Sequence, residues 1–509
     1  MAEKEADLSA IAADAPCPEP ASQVEQERYT IWTARSRHVL VCLLGYLALA
    51  SSLTANIYFP LLELLADRYS VSPQAINLTI TLFMVVQGIA PSIWSPLSDS
   101  WGRRPVYLCT FTVYTVASLG LSIVDRNYVA LLLLRAMQSL GGATVLSLAY
   151  AAVADVTVHS ERGRFLAPML TAANIGPCIG PVIGGGAVLA SGDPRWCFRA
   201  LLIFGASGIL LIGWSMPETN RTIVGNGSVP PRGIWRTWWR LFFPRSQTPA
   251  TVNNPPSHVT TGRGKLIIPN PFSSVRLIFQ PDTFLALWLA ASPYALWFCV
   301  QTSISPVFSL HYHFNPLQVG LCFLPGGVGV ILGGFVAGRL LDHNYRTVAS
   351  KAGVTVDRER GDDMAVFPIE HARSRHSVRI LAGFTCVVVG YGWLVRQDPR
   401  VHPAVLLVFQ AIIGAKCTVL HQVYSALVVD IFPQRTGTAA AANNITRCIV
   451  AATAVAVLEP LVSGVGYEWV FTLLGLLDGL GCIAAVLVLR RWGSKWRAVR
   501  EAREHNRGG

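Results

Sequence analysis

Four ionisable side chains stand inside stretches that otherwise read as hydrocarbon-soluble: Arg135, Lys416, Arg447 and Asp478. A charge at the centre of a bilayer costs roughly 2.5–3.5 kcal/mol even on a lenient scale, so each needs a partner or a wet cavity. Arg135 shares a helical face with Gln138, Gly142 and Ala149. Lys416 can bind an anionic substrate or change protonation when buried; the structural alternative is an internal ion pair, with Asp478 as the candidate partner. His421 lies about 140° round the helix from Lys416 and reads as a packing residue. Arg447 with Asn444 can hydrogen-bond a substrate or fix a helix pair. Asn56 and Gln87, deep in apolar runs, read as cavity liners. Three cations against one well-buried aspartate lean towards an anionic or neutral cargo.

A second group of residues suits conformational work. Ser95-Pro-Leu-Ser-Asp99-Ser-Trp-Gly102-Arg103-Arg104-Pro105 joins two apolar runs and packs a carboxylate, two arginines and a turn glycine together. A weaker copy, Gly338-Arg-Leu-Leu-Asp342-His-Asn-Tyr-Arg346, follows far down the chain. A further echo pairs Asp155 and Arg162 with Asp430 and Arg435. The stretch Gly176-Pro177-x-x-Gly180-Pro181-x-x-Gly184-Gly185 makes a Gly/Pro-dense helix. Such a helix permits close approach of a neighbour and offers a bend point, which suits gating as well as plain packing.

These residues must be held by membrane helices. The 509-residue chain is 52% hydrophobic and only 14% charged, where soluble proteins average about 25% charged. Apolar runs long enough to cross a core of roughly 30 Å fall near 39–60, 76–98, 106–124, 127–154, 164–190, 198–216, 284–310, 318–341, 378–397, 402–430, 437–461 and 468–489. With both ends in the cytoplasm, and residues at span ends counted with the adjoining face, 32 of the 41 Lys and Arg residues fall inside and six outside, with three deep in spans, as the positive-inside rule requires. The net charge of +12 therefore reads as topology and not as nucleic-acid binding. The echoed loops make the two sets of six parallel repeats about an axis along the membrane normal.

The segments read as a disordered acidic tail (1–37), a six-helix bundle (38–216), a cytoplasmic central loop (217–283), a second bundle (284–490) and a basic tail (491–509). Within the loop, Arg232, Arg236 and Arg240 alternate with Trp235, Trp238 and Trp239, which predicts an amphipathic helix at headgroup level. The eleven cysteines are scattered, and His311-x-His313 lacks a third ligand, so no disulfide framework or metal site is expected. The Asn-x-Ser/Thr matches lie in or beside the membrane or on the cytoplasmic side, and no glycosylation is expected. No catalytic constellation and no phosphate-binding loop stand out, so neither an enzyme nor an ATP-driven pump is expected.

Twelve spans in two parallel halves resemble the major facilitator superfamily over about residues 38–490. Leu97, Asp99, Gly102, Arg103 and Arg104 match its loop between spans 2 and 3, with Ser95 and Ser100 replacing a glycine and an arginine. Arg135-x-x-Gln138 is similar to its span 4 motif, with Ser139 where glycine is usual, and the span 5 glycines resemble the twelve-span drug:proton antiporters. Asn56-Ile-Tyr-Phe-Pro60, Pro217-Glu-Thr219, Gly225-Asn-Gly-Ser228, Phe367-Pro-Ile-Glu370 and Asn443-Asn444-x-x-Arg447 resemble the fungal quinidine-resistance branch, with its citrate and itaconate exporters. The resemblance implies an all-α membrane protein of two pseudo-symmetric six-helix bundles. It implies a monomeric plasma-membrane exporter of a small organic molecule, using the proton gradient and no cofactor. It places Arg135 near proton or substrate handling and makes Asp99 with Arg103 a latch, weakened by Ser95 and Ser100. Rival readings are an uptake carrier for a sugar or organic acid and a receptor that moves nothing.

Overall fold

The structure is a computed structural model that describes residues 30–157, 161–231, 233–239, 272–352, 369–396, 401–432 and 436–508. In hydrocarbon every backbone polar group must find its partner within the segment, and helices do this. The spans are α1 (Ala34–Asn56), α2 (Pro73–Trp101), α3 (Arg103–Ile123), α4 (Tyr128–Gly142 and Val145–Val156), α5 (Arg162–Ser191), α6 (Arg195–Ser215), α7 (Pro281–Pro306), α8 (Leu324–Ala352), α9 (Ser377–Arg396), α10 (Pro403–Ile431), α11 (436–465) and α12 (467–508). The last two form one unbroken helical run except at Gly466, where φ is +85°. A single helix of that length would be about three times too long for a bilayer, and α12 doubles back to pack on α9, Gly475 lying against Val388. Twelve spans result, as expected.

The helix starts carry the chemistry that begins helices. Ser72 accepts from Ala75 N, Asn127 from Ala130 N, and Asn315 forms a full capping box with Gln318. Pro73 and Pro403 occupy first turns, where a missing N–H costs nothing. The face bearing the start of α1 and the end of α12 is called terminal below, and the opposite face distal.

Three segment readings change. Residues 1–29 lie outside the described part, but α1 already begins at Ala34, and Ile31 N donates to Asn226 O at 3.2 Å. At the other end, α12 runs on as helix beyond residue 490, and Arg497 pairs with Glu370 at 3.6 Å. The expected amphipathic helix is, where described, a 3-10 turn at Gly233–Trp235 followed by Trp238 and Trp239; Arg232 and Arg240 fall outside the described residues. Gly233 has φ +60°, which a right-handed helix excludes. Trp235 Nε1 donates to Trp101 O at 2.7 Å, and Trp239 meets Trp214 edge-on at 5.6 Å. The aromatic residues thus dock on the bundle.

The halves α1–α6 and α7–α12 meet along two lines, α2 against α11 and α5 against α8. Across the first, Gln74 donates to Ala456 O (2.8 Å), Thr81 to Ala452 O (3.4 Å) and Asn444 to Gln87 O (3.1 Å). Across the second, a Cβ placed on Gly320 would lie 2.5 Å from Pro181 O. Phe59, just past α1, stacks on Phe323 at 5.9 Å and meets Phe298 at 6.1 Å. These contacts run from the distal face to mid-membrane. Nearer the terminal face, no hydrogen bond or ion pair among the described residues crosses between the halves, and Gly338 and Gly437 have open space beside them. The seam is shut distally; the terminal side, where no described hydrogen bond or ion pair crosses between the halves, is called the open side below.

Candidate functional site

At mid-membrane, where the shut seam gives way to the open side, α11 presents Arg447. Its Nη2 donates to Asn444 Oδ1 at 2.9 Å, and its guanidinium lies over the Tyr294 ring of α7 at 4.6 Å. Its Nε is buried without a partner, and no carboxylate among the described residues pairs with it. Tyr294 also faces His421 of α10 at 5.8 Å, and His421 Nδ1 sits 3.1 Å from Ala290 O. Tyr150 of α4, exposed to 40%, brings its hydroxyl within electrostatic reach of Arg447 from the other half. Asn444 ties the cluster to α2 through Gln87 O, while the Gln87 side chain donates to Ser51 Oγ at 3.2 Å. The result is a cation with an aromatic wall and unspent donor capacity, contributed by both halves. Arg447, Asn444 and Gln87 are brought together here. Tyr294 and Tyr150 were missed because aromatic residues in wholly apolar runs carry no contrast in sequence.

The other candidate residues lie elsewhere. Arg135 is 1% exposed and sealed between the rings of Tyr58 (4.5 Å) and Phe83 (4.4 Å), donating to Gln138 Oε1 at 2.9 Å. Gln138 passes the chain on to Ser118 Oγ at 2.9 Å. Asn56 is 6% exposed and donates to Ser52 O, one turn back on its own helix. Lys416 turns towards α9: a Cβ on Gly383 would meet its Nζ at 2.7 Å. It therefore lies off the seam and forms no described ion pair with Asp478. Asp478 instead takes the Cys482 thiol at 3.3 Å, and its Oδ2 has no partner. Facing decides this, because α10 turns Lys416 towards Gly383 of α9 while α12 holds Asp478 against Cys482. Lys416→Met should accordingly leave transport rates within about twofold of the unchanged protein, a surface-type effect, in any flux assay.

The loop Ser95–Pro105 is a clasp within the first half. Arg103 donates to Asp99 (2.5 Å), Ser98 Oγ (2.6 Å) and Asp155 of α4 (3.0 Å). Asp99 is 65% exposed on its side chain and Asp155 only 14%, so the buried Asp155 is the firmer anchor. Arg104, 1% exposed, donates to Gly213 O (2.8 Å) and Met216 O (3.0 Å) at the C-terminal end of α6, where helix carbonyls lack partners. Glu218 accepts backbone N–H groups from Arg103 (2.9 Å), Arg104 (3.3 Å), Thr219 (3.0 Å) and Asn220 (2.9 Å). It caps α3 from outside the helix. Burial pushes its carboxyl above the usual range, and those N–H groups oppose the shift. Gly102 must be glycine: its φ is +102°, and a Cβ would meet Trp235 Nε1 at 2.9 Å. Glu218→Ala strands several buried donors and should cost about 3 kcal/mol, read as a lowered midpoint in detergent unfolding.

In the second half the clasp is rebuilt from other residues. Asp342 is exposed and makes no described ion pair. Arg373, just before α9, donates instead to Asp430 at the end of α10 at 2.9 Å, matching Arg103 with Asp155. The insertion between α8 and α9 moves the arginine downstream, so the copy at 338–346 keeps the pattern without the bond.

The α5 glycines divide by partner. A Cβ on Gly176 would lie 2.9 Å from Leu53 N and one on Gly180 3.2 Å from Ile57 N. Gly184 abuts the Ile57 carbonyl, also within the half. Gly185 faces across the seam, where a Cβ would sit 2.8 Å from the Pro316 carbonyl carbon, and Pro181 O meets Gly320.

The sequence model described as "Major Facilitator Superfamily" matches residues 44–356, more than half of the chain. The chain belongs to the Major Facilitator Superfamily. As a superfamily member it is a multi-pass membrane transporter, and the relatives that follow are fungal. It is 34% identical to citrate exporter 1 of Aspergillus niger, over 96% of this chain and 92% of that one. It is 34% identical to the MFS-type transporter phiD of a fungal strain, over 95% and 72% of the two chains. It is 30% identical to multidrug transporter QDR2 of Candida glabrata, over 91% and 81%.

Proposed function

We propose that this superfamily member exports a small organic anion by alternating access, driven by inward proton movement. The observation that carries the reading is Arg447, a seam cation whose Nε lacks a partner and which no described carboxylate neutralises. A charge held at this depth without a counter-charge is costly, and an anionic cargo supplies that counter-charge while bound. The aromatic wall of Tyr294 and Tyr150 suits a cargo with a carbon skeleton. One relative bears the name of a citrate exporter, which accords with an anion. The excess of Lys and Arg on the terminal side supports cytoplasmic termini. The open side then faces the cytoplasm, where an exporter loads.

Alternating access requires the distal contacts to part as terminal ones form. Export in place of uptake is supported by Gly185 and Pro181 of α5, whose backbone contacts across the seam favour the distally shut, loading state. The test is flux of radiolabelled di- and tricarboxylates from reconstituted vesicles with an imposed proton gradient. Saturable efflux that collapses with the gradient supports the reading. Transport of cationic drugs alone, with carboxylates inert, overturns it.

A further inference from the structure

The shut seam contains two carboxylates that cargo transport does not use. Glu63 lies in the short helix Leu62–Tyr69 beyond α1, and Glu459 lies near the distal end of α11. They come from opposite halves and line one small recess of about 20 Å³, together with Asn77, Thr302, Ser303 and Tyr467. Among the described residues no Lys or Arg lines it. Arg68, nearest in sequence, is held by Asp125 at 2.9 Å and Asp193 at 3.1 Å, and Arg396 by Glu468 at 3.6 Å. Thr302 and Ser303 spend their hydroxyls on Phe298 O and Val300 O. Asn77, 5% exposed, also lines the recess. Burial first, and then the nearby Glu459 and exposed Asp67, disfavour the charged form of Glu63.

Two carboxylates in one confined site do not both ionise cheaply; they titrate as a pair and share a proton. We propose that Glu63 and Glu459 bind one proton between them when the distal face is shut, with the Asn77 amide as a further hydrogen-bonding group. The proton comes from water on the distal face and returns there when the halves part, because separated carboxylates no longer need it. Acid on that side then favours the loading state. This inference rests on the reading of the distally shut state as the loading state, but its test needs no cargo.

The reporter is Thr302→Cys, 3% exposed while the seam is shut, in a chain whose exposed Cys42, Cys109 and Cys386 and Cys17 are replaced by serine. A membrane-impermeant maleimide is applied from the distal side at a series of pH values. Labelling, divided at each pH by that of the same thiol in the denatured chain so that its own ionisation cancels, should rise with pH, by up to about tenfold per unit for a one-proton switch. In the doubly substituted Glu63→Gln, Glu459→Gln chain it should stay low and flat, since two amides need no proton. Glu468→Gln, on the same face, should keep the original profile. A doubly substituted chain that retains the original pH response overturns the proposal. So does a flat response in the unsubstituted reporter. Anion flux measured in parallel separates the readings: cargo failure with pH-dependent labelling defeats the anion reading alone.

Discussion

Arg447→Gln is expected to lower kcat/KM for anion efflux about 100-fold, with the protein still folded. The arithmetic starts from a buried charge pair between arginine and cargo carboxylate, whose truncation costs about 2–5 kcal/mol; each 1.4 kcal/mol is tenfold. Glutamine keeps a donor for Asn444 Oδ1, so the helix pair is preserved while the charge is lost. Stability should not fall, because the unmatched guanidinium Nε is a cost that glutamine removes. Arg447→Lys should recover only part of the rate, since an ammonium has no planar fork for a carboxylate and stacks less well over Tyr294. Initial-rate flux against carboxylate concentration, beside a detergent melting curve, separates the outcomes. Unchanged efflux with Arg447→Gln removes this arginine from the cargo site.

Gly185→Val should abolish most turnover without unfolding the chain, while Gly184→Val should damage folding itself. The two residues are neighbours, yet a side chain on Gly184 drives into the Ile57 backbone inside the first half, and one on Gly185 drives into Pro316 of the second. Backbone atoms cannot step aside, and overpacking of this kind costs about 1–3 kcal/mol or more. Within a half that cost falls on stability. Across the seam it falls only on the distally shut state, so the population shifts by about tenfold per 1.4 kcal/mol. Flux, melting temperature and maleimide labelling at Thr302→Cys form the required set. Gly185→Val should show low flux, a near-normal melt and high labelling. Equal melting losses for both variants would mean that the seam contact bears on folding and not on gating.

Most of the architecture was legible because it follows from one strong constraint. Hydrocarbon demands about twenty apolar residues per span, and charged or Pro-capped turns separate such runs plainly. The arginine clasp at Ser95–Pro105 was readable as a unit because its residues are neighbours in the chain. What stayed hidden depends on azimuth. Lys416 and Arg447 look alike in sequence, each a cation in an apolar run, but one faces α9 and the other the seam. Periodicity fixes which residues share a face of one helix; only tertiary packing fixes what that face meets. The clasp of the second half was misplaced for a related reason. Its acid, Asp430, keeps its position, while its arginine moved across an insertion to Arg373. The Gly185 contact was readable as close packing but not as packing between halves, since adjacent glycines point to different neighbours.

The two working parts are written in different materials. The distal gate between α5 and the short segment before α8 is made of main chain meeting main chain at Gly185, Pro181 and Gly320, whereas the proposed cargo pocket is made of the side chains of Arg447, Tyr294 and Tyr150. Main-chain geometry survives most substitutions, and pocket chemistry does not. A designer can therefore retune the cargo by exchanging a few pocket residues without rebuilding the moving parts. The same separation lets one chassis diversify towards new metabolites at little mechanical risk.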